Sequence, residues 1–458
     1  MESEKKNSIT KPEKRRKKIF GWYFGVPLVW RILTALVLGS ITGLVVGPSI
    51  AVIAPLGDLM LRLLRMIILP LIFFAIVMGV GSMPASKIGR VAGKILLYYF
   101  GTTLFAAGTG LLLANIFKPG LNLSFSGTTA VESATVSTPS IGSVLLNMVP
   151  ENIAASFTNG AYLQVLVFAL FVGLAVSILR DHKDIRISDA VVTVYKLCEG
   201  GAEIMFAITN AVLQYSPIGV FALISIVFAE EGTMLITSAA MIIALCYLGY
   251  AIQLFLVYNI FLKANKLSFW KFISRAKEAT LMAFATRSSG ATLPLTLRVS
   301  EEKLGIPRSI GGFTLPLGSQ VNLDGEAYYQ IIAVFTAAFA AGIHLSFAQQ
   351  LVVIFVVTVG TMGTAGISGS GPVILLAVMG MVGLNVESGT VVGAVFALVL
   401  GIDVILDMGR TAVNVTGDLV GSTIVAKSEG VLDLEKWDNV TGDLAGSTIV
   451  AKSDEVLE

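Results

Sequence analysis

The chain has 458 residues, of which 55% are hydrophobic and 14% are charged, and its formal net charge is +2. Soluble proteins carry about 25% charged residues, so this composition excludes a soluble globular protein and indicates a polytopic membrane protein. The near-neutral charge gives no reason to expect a nucleic-acid partner. The two cysteines, Cys198 and Cys246, are too few for a disulfide framework or a cysteine metal cluster.

The N-terminal residues form a basic tail. Five consecutive basic residues, Lys14 to Lys18, come directly before the first apolar segment. Lysine and arginine concentrate on the cytoplasmic side of membrane proteins. We therefore interpret residues 1–19 as a cytoplasmic tail of a multi-pass plasma-membrane protein. The run acts as a topology signal or, alternatively, binds specific membrane lipids.

Long apolar segments follow this tail. A helical span needs about 20 apolar residues, and three spans are predicted between Trp22 and Leu113. A stretch rich in Ser and Thr after Pro119 is predicted to be an exposed loop. Three further spans are predicted at 161–179, 191–228 and 232–262.

From Trp270 onward, Gly, Ser, Thr and Pro interrupt the apolar segments. The interruptions read ATRSSGATLP at 285–294 and GTAGISGSGP at 363–372, with LPLGSQVNLDGEAYY between them. Irregular backbone at membrane depth persists only where protein buries it or where it lines a cavity, and discontinuous helices commonly form transporter binding sites. This pattern predicts a buried site, and the alternative is that these segments are surface loops between short spans.

Acidic residues lie within these apolar segments. Asp324 and Glu326 are the only formal charges between Arg308 and Glu387. The last span carries five polar residues spaced by four, three, four and four positions, which places them on one helical face. These are Asp403, Asp407, Arg410, Asn414 and Asp418.

The acids in this half of the chain outnumber the bases. An ionised side chain in the membrane costs a few kcal/mol at least, so bound cations or protons would account for the surplus; the alternative is a set of buried ion pairs. Sodium prefers oxygen ligands, which carboxylates and unwound backbone supply. Arg410 could bind a carboxylate through two hydrogen bonds, and Asp407 could hold an ammonium. The pair therefore predicts a pocket for a zwitterion.

These motifs resemble the glutamate transporter family of dicarboxylate/amino acid:cation symporters, over roughly Trp22 to Gly430. The specific segments are TRSSGATLP, PLGSQVNLDGE, GTAGISGSGP and GIDVILDMGRTAVNVTGD. The resemblance implies an all-α membrane protein with eight transmembrane helices and two re-entrant helical hairpins arranged as inverted repeats. It also implies a homotrimer whose scaffold comprises approximately 20–85 and 120–230. A mobile transport domain of approximately 86–119 and 231–428 would move like an elevator, with the second hairpin as gate.

The resemblance also assigns site residues, with sodium as the coupling ion. Substrate contacts are implied for Ser288, Ser289, Ile367, Gly369, Asp407, Arg410, Thr411 and Asn414. One sodium site is implied at Gly318, Asn322, Asn414 and Asp418. A second is implied at the carbonyls of Gln320, Thr361, Met362 and Thr364, and a third at Tyr99, Thr102, Thr103, Asn322 and Asp324.

Glu326 departs from the family pattern, which usually has Thr there in contact with the substrate side chain. The proton-coupled eukaryotic members carry their protonatable Glu at the position of Gln330, one helical turn later. One hypothesis is that Glu326 is protonated when substrate binds and is ionised and paired with Arg410 when the site is empty, so that protons join the coupling. The competing hypothesis is that Glu326 stays ionised and selects a neutral amino acid or another unusual substrate, since it would repel a second carboxylate.

The C-terminal segment contains a duplication. NVTGDLVGSTIVAKSEG at 414–430 is followed by NVTGDLAGSTIVAKSDE at 439–455. We expect 429–458 to be a cytoplasmic tail in which Asn439 and Asp443 are non-functional copies; a regulatory tail is the alternative.

The sequence therefore predicts a secondary active symporter of an acidic amino acid such as glutamate or aspartate, with sodium and a second coupling ion, the proton. The alternative substrates are a neutral amino acid or a dicarboxylate.

Two other classes of membrane protein are alternatives to a symporter. An intramembrane serine protease would need a histidine base, and His344 is a poor candidate for pairing with the GISG segment at 366–369. An anion-conducting channel would need a continuous polar path with weak sites.

Overall fold

The computed structural model describes residues 26–81, 90–121, 146, 148–232, 234–361 and 369–438. Regular structure in these ranges is entirely helical. The first half contains α1 (Leu28–Val46), a 3₁₀ helix (Gly47–Ile53), α2 (Ala54–Gly81), α3 (Arg90–Phe117), α4 (Ile153–Thr158), α5 (Tyr162–Arg180) and α6 (Ile185–Glu231).

The second half begins with α7 (Met234–Ala251), a π-helical turn (Ile252–Val257) and α8 (Tyr258–Ala264). The remaining helices are α9 (Phe269–Thr286), α10 (Ser289–Glu302), α11 (Arg308–Val321), α12 (Asp324–Ala340), α13 (Phe347–Thr361), α14 (Gly371–Met381), α15 (Val391–Ser428) and α16 (Leu434–Asp438).

Several helical stretches are long and apolar enough to cross a membrane. By length and composition, five such stretches occur among the described residues, and the first includes both α1 and α2. Large apolar side chains also cover the outer surface: Val45, Leu97 and Trp270 are 79%, 74% and 73% exposed. An apolar surface of this kind fits a lipid environment. The prediction of an all-α polytopic membrane protein is confirmed, whereas the count of eight spans stays a prediction.

The helices pack as two groups. In the first group, α1, α2 and α5 pack against the long helix α6. In the second group, α3, α7 to α12 and α14 pack against α15, and α13 packs against α3, α12 and α14. Glycines allow the closest approach within the first group, since a methyl group on Gly43 would overlap the backbone oxygen of Ser225 in α6. Small residues at such crossings are typical of helix packing in membranes.

Two pairs of short helices form hairpin-like elements. Helix α9 ends at Thr286, Arg287 adopts a left-handed conformation with φ of 56°, and the Ser288 side chain caps α10 by accepting from the Ala291 amide at 3.2 Å. Helix α10 has 14 residues, or about 21 Å, which is shorter than a hydrocarbon core of about 30 Å. The second pair, α13 and α14, flanks residues 362–368, which lie outside the described ranges.

The segment between these pairs is also discontinuous. Helix α11 ends at Val321 and α12 begins at Asp324, with Asn322 and Leu323 in non-helical conformations between them. The Gly- and Pro-rich pattern thus occurs where the backbone leaves the helix. Helix α15, by contrast, is continuous. Of its most apolar 18-residue stretch, 89% is buried inside the protein. The apolar face opposite the polar stripe therefore packs mainly against protein.

The first residues of the predicted tail pack against the second helix group. Glu429 forms an ion pair of 2.6 Å with Lys94, and the Asp433 amide donates to the Gly305 carbonyl at 3.0 Å. Trp437 is 4% exposed, and its ring lies 5.3 Å from the Arg275 guanidinium carbon. Residues 429–438 are therefore an ordered part of the fold, while Asn439 and Asp443 lie outside the described residues.

Replacing Gly43 with alanine should destabilise the first helix group. The added methyl group would overlap the Ser225 backbone, and overpacking of this kind costs about 1–3 kcal/mol. Thermal unfolding in detergent should show a lower Tm for Gly43→Ala. The control is Gly93→Ala, because no heavy atom lies within 4 Å of its added methyl group. Equal Tm values for the two variants would contradict the close crossing of α1 and α6.

Candidate functional site

A buried arginine forms the centre of the site. The Arg410 Nε lies 3.0 Å from Asp407 Oδ1 and 3.2 Å from Glu326 Oε2, and its Nη1 lies 3.1 Å from Asp403 Oδ1. The Tyr329 ring packs under the guanidinium at 4.5 Å. All of these side chains are buried. Burial on this scale is tolerated only when charges are paired and hydrogen-bonded.

The pairing of these charges is incomplete. Three carboxylates surround Arg410, and the second nearby cation, Arg287, lies 3.8 Å from Asp407 Oδ2. Arg410 Nη1 and Asp403 Oδ1 face each other at 3.1 Å without hydrogen-bond geometry, and Asp407 Oδ2 accepts no hydrogen bond from the described residues. Buried polar atoms without partners are costly, so these atoms are the natural contacts for a polar ligand.

Glu326 and Asn414 connect α12 to α15. Glu326 accepts from the Gln330 amide nitrogen at 3.1 Å, in addition to pairing with Arg410. The Asn414 side-chain oxygen accepts from the backbone N–H of Gly325 at 2.8 Å. Gly325 permits this approach, since a Cβ there would lie 2.5 Å from the Arg410 Cα. The unwound start of α12 therefore places a carboxylate beside the arginine of α15.

Both hairpin-like elements reach this cluster. Arg287 and the predicted contacts Ser288 and Ser289 form the turn between α9 and α10, and Arg287 extends to Asp407. Gly371 begins α14, and a Cβ at this position would overlap the Arg410 guanidinium. The predicted contact Gly369 has φ of 82° and lies against Leu213 of α6. Ile367 lies outside the described residues.

Other predicted substrate contacts lie along α15. Thr411 donates from its hydroxyl to Asp407 Oδ1 at 3.3 Å, so it contacts the same carboxylate as Arg410. The structure thus brings five of the predicted residues into one connected cluster. They are Glu326, Asp407, Arg410, Thr411 and Asn414.

The first predicted sodium set surrounds Asp418. Asn322 donates from its amide nitrogen to Asp418 Oδ1 at 3.0 Å. A Cβ at Gly318 would lie 2.5 Å from both Asp418 Oδ1 and the Tyr99 hydroxyl, so Gly318 is in close contact with both. Asn414 lies one helical turn before Asp418 on α15. The Asp418 carboxylate and the backbone at Gly318 are oxygen donors that suit a hard cation, whereas the Asn322 amide presents its nitrogen to Asp418 and the Asn414 oxygen accepts from Gly325.

The third predicted set surrounds Asp324. Thr103 donates to Asp324 Oδ1 at 2.7 Å, and Thr102 lies 3.3 Å from the side-chain oxygen of Asn322. Asn322 therefore joins this set to Asp418. Tyr99, predicted with this set, instead donates to the Thr314 carbonyl at 2.8 Å and lies nearer to Gly318.

The second predicted set is only partly described. Thr361 is fully buried at the end of α13, and its hydroxyl donates to the Thr358 carbonyl at 2.9 Å. Gln320 lies near the end of α11, next to the break at Asn322. Met362 and Thr364 lie outside the described residues, so this set stays a prediction.

Three residues join these clusters without having been predicted as site residues. Asp403 lies on the predicted stripe, and its pairing with Arg410 depends on side-chain conformation. Gln253 and Tyr258 both donate to Asp324 Oδ2, at 2.9 Å and 2.7 Å. The signal for Gln253 was present in the sequence: it is an amide within a span that has no charged residue.

Comparisons with known proteins place the chain among transporters. The family described as the sodium:dicarboxylate symporter family matches residues 28–428. The proton/sodium-glutamate symport protein of Bacillus caldotenax is 33% identical over 422 residues, covering 90% of this chain and 96% of that protein. The proton/glutamate-aspartate symporter of Escherichia coli (strain K12) is 33% identical over 432 residues, covering 89% and 94%. The C4-dicarboxylate transport protein of Laribacter hongkongensis (strain HLHK9) is 31% identical over 416 residues, covering 89% and 91%.

Replacing Arg410 with methionine should strongly destabilise the protein. The change leaves three buried carboxylates without their shared partner, and breaking a buried ion pair in this way costs about 3–5 kcal/mol. Unfolding in mixed micelles measures the loss in the free energy of unfolding. The control is Arg308→Met, which breaks the exposed pair with Glu301 and should cost at most about 1 kcal/mol. Similar losses for the two variants would show that Arg410 does not hold the cluster together.

Proposed function

The chain belongs to the sodium:dicarboxylate symporter family, and from that premise we propose that it is a secondary active symporter that takes up an acidic amino acid, such as glutamate or aspartate, with sodium ions. The family consists of transporters, so the chain is not an enzyme. The observation that carries the proposal is the incompletely paired Arg410 next to the turn before α10 and the start of α14.

The chemistry of the cluster fits the two ends of an amino acid. Arg410 Nη1 has no hydrogen-bond partner among the described residues, and it would donate to a substrate carboxylate. Asp407 Oδ2 likewise has no such partner and would accept from a substrate ammonium. The similar proteins are named as transporters of glutamate, aspartate or C4-dicarboxylates, which supports an acidic substrate.

Sodium is the proposed coupling ion because of the buried carboxylates away from Arg410. Asp324 and Asp418 are fully or almost fully buried and have no ion-pair partner among the described residues. A cation bound beside each would compensate its charge. Neutral oxygens lie next to the Asp324 carboxylate, from Thr103 and from the Asn322 side chain that contacts Thr102, and the backbone between α11 and α12 is unwound beside them.

The two helix groups suggest how the site could change its access. We assign the first group to a scaffold that forms the homotrimer, and the second group to a transport domain that moves against it like an elevator. The contacts between the groups include apolar ones, such as Gly369 with Leu213 and Gly380 with Tyr162, which favour sliding. The element formed by α13 and α14 is the proposed gate, because Gly371 lies directly against Arg410. The N-terminus is assigned to the cytoplasmic side.

Glu326 places a condition on substrate binding. Its carboxylate already pairs with Arg410 at 3.2 Å, so an incoming substrate carboxylate must compete with it. Proton uptake by Glu326 would release Arg410 and remove the repulsion between the two carboxylates. We therefore propose that the proton is a second coupling ion.

A second candidate function follows from the same ion pair. If Glu326 stays ionised and paired with Arg410, the pocket would favour a neutral amino acid or another substrate without a competing side-chain carboxylate. A screen of amino acids and dicarboxylates in the presence of sodium distinguishes these two candidates.

The central test is uptake into proteoliposomes under an inward sodium gradient. Wild-type protein should accumulate glutamate or aspartate above its external concentration, and Asp418→Asn should raise the sodium concentration for half-maximal uptake by about tenfold or more, since it removes a charged cation ligand. The control is Glu301→Gln, an exposed residue outside the clusters. Equilibration of the substrate across the membrane without accumulation would support a channel. Uptake that does not depend on the sodium concentration would refute the proposed coupling.

Proton coupling is tested by the pH dependence of uptake. Uptake of an acidic amino acid should rise as pH falls, because protonated Glu326 releases Arg410, and Glu326→Thr should flatten this dependence. The other ionisable groups around Glu326 are Arg410, Asp407, Asp403, Tyr329 on α12 and, from α7, Tyr250; Glu301→Gln again serves as control. Wild-type uptake that does not change with pH would end the hypothesis.

A further inference from the structure

The carboxylate of Asp324 has two differently occupied oxygens. Oδ2 accepts from the Gln253 amide nitrogen at 2.9 Å and from the Tyr258 hydroxyl at 2.7 Å. Oδ1 accepts from the Thr103 hydroxyl at 2.7 Å, and the Thr102 hydroxyl also lies near this carboxylate. All five residues are buried. Oδ2 therefore accepts two hydrogen bonds, while Oδ1 faces Thr102, Thr103 and Asn322.

The orientation of Gln253 is fixed from its other end. The Gln253 side-chain oxygen accepts from the Tyr328 hydroxyl at 3.3 Å. An amide whose oxygen already has a donor must direct its N–H group the other way. The Gln253 nitrogen is thus set to donate to Asp324.

A local backbone irregularity brings Gln253 and Tyr258 together. Residues Ile252–Val257 form a π-helical turn between α7 and α8. In an α-helix, two residues five positions apart point about 140° away from each other. In a π-helix, the i→i+5 bond places such residues nearly above one another. The π-helical turn therefore lets both side chains reach the same carboxylate oxygen.

We propose that Gln253 and Tyr258 are positioning residues for sodium, which hold Oδ2 of Asp324 so that Oδ1 remains directed toward a cation. This inference rests on the proposed sodium coupling. The Thr103 hydroxyl, which donates to Oδ1 here, can rotate and offer its lone pair when a cation arrives. A carboxylate fixed at one oxygen does not lose rotational freedom on binding the ion, and it does not turn its charge away from the site.

Sodium binding to substrate-free protein tests this role directly. Purified protein in detergent is titrated with sodium in a choline background, and binding is followed by calorimetry and by the rise in Tm. Gln253→Leu and Tyr258→Phe should each raise the sodium concentration for half-saturation by about tenfold or more, as expected for a lost hydrogen bond to a charged group. Substrate binding should recover in both variants at high sodium concentration.

The matched control is Tyr247→Phe. Tyr247 lies on α7, and its hydroxyl donates to the Ile405 carbonyl at 2.8 Å, so its loss removes a comparable hydrogen bond without touching Asp324. This control should keep the wild-type sodium affinity. Tyr258→Phe preserves the ring, so the test remains decisive even where Gln253→Leu fails to fold.

The outcomes separate this inference from the proposed function. Wild-type protein that binds no sodium would refute sodium coupling itself. Wild-type protein that binds sodium, together with variants of unchanged sodium affinity, would overturn the positioning role alone. A lower Tm in the variants with unchanged sodium affinity would also overturn it, because it would show that the two hydrogen bonds only stabilise the fold.

Discussion

The burial of more carboxylates than cations is the constraint on which the second helix group depends. Five carboxylates lie in this group, and each is buried, with at most 8% of its surface exposed. The nearby bases are Arg410 and Arg287. An isolated buried charge costs several kcal/mol even after relaxation. The protein meets this cost by directing neutral donors at individual oxygens and by sharing one arginine among three acids. The acids are Asp324, Glu326, Asp403, Asp407 and Asp418.

The unwound backbone between α11 and α12 is the structural means of concentrating these groups. A continuous helix would carry Asn322 and Asp324 past α15 on separate faces. The break instead lets Asn322 contact Asp418 with its nitrogen and Thr102 with its oxygen, so one amide connects the surroundings of both predicted cation positions. Occupation of one position would therefore alter the hydrogen bonding at the other. This arrangement gives cooperative ion binding a physical route through a single side chain.

The sequence predicts this architecture wherever the pattern depends on local spacing. The stripe on α15 follows from the helical repeat, and the break before Asp324 follows from a Gly- and Pro-rich segment in an apolar setting. The pairing of Gln253 and Tyr258 could not be predicted in the same way, because an α-helical repeat places them on different faces and nothing local signals a π-helical turn. The partners of Arg410 were likewise ambiguous, since several acids lie within reach and side-chain conformation decides among them.

The competition for Arg410 links substrate choice to ion coupling. Glu326 and Asp407 both lie within ion-pair distance of the Arg410 Nε, and Asp403 lies within that distance of Nη1, so three acids already share one guanidinium. Under the proposed function, a substrate carboxylate would add a further negative charge beside these three acids, and an acid that it displaces needs a proton or another partner, because a free carboxylate at this depth is too costly. Asp403 and Asp407 lie on the same helix as Arg410, whereas Glu326 approaches from α12. Glu326 is thus the acid that a shift between the two helices can remove, and this is the reason for proposing that the residue that departs from the family pattern sets both the substrate and the coupling ion.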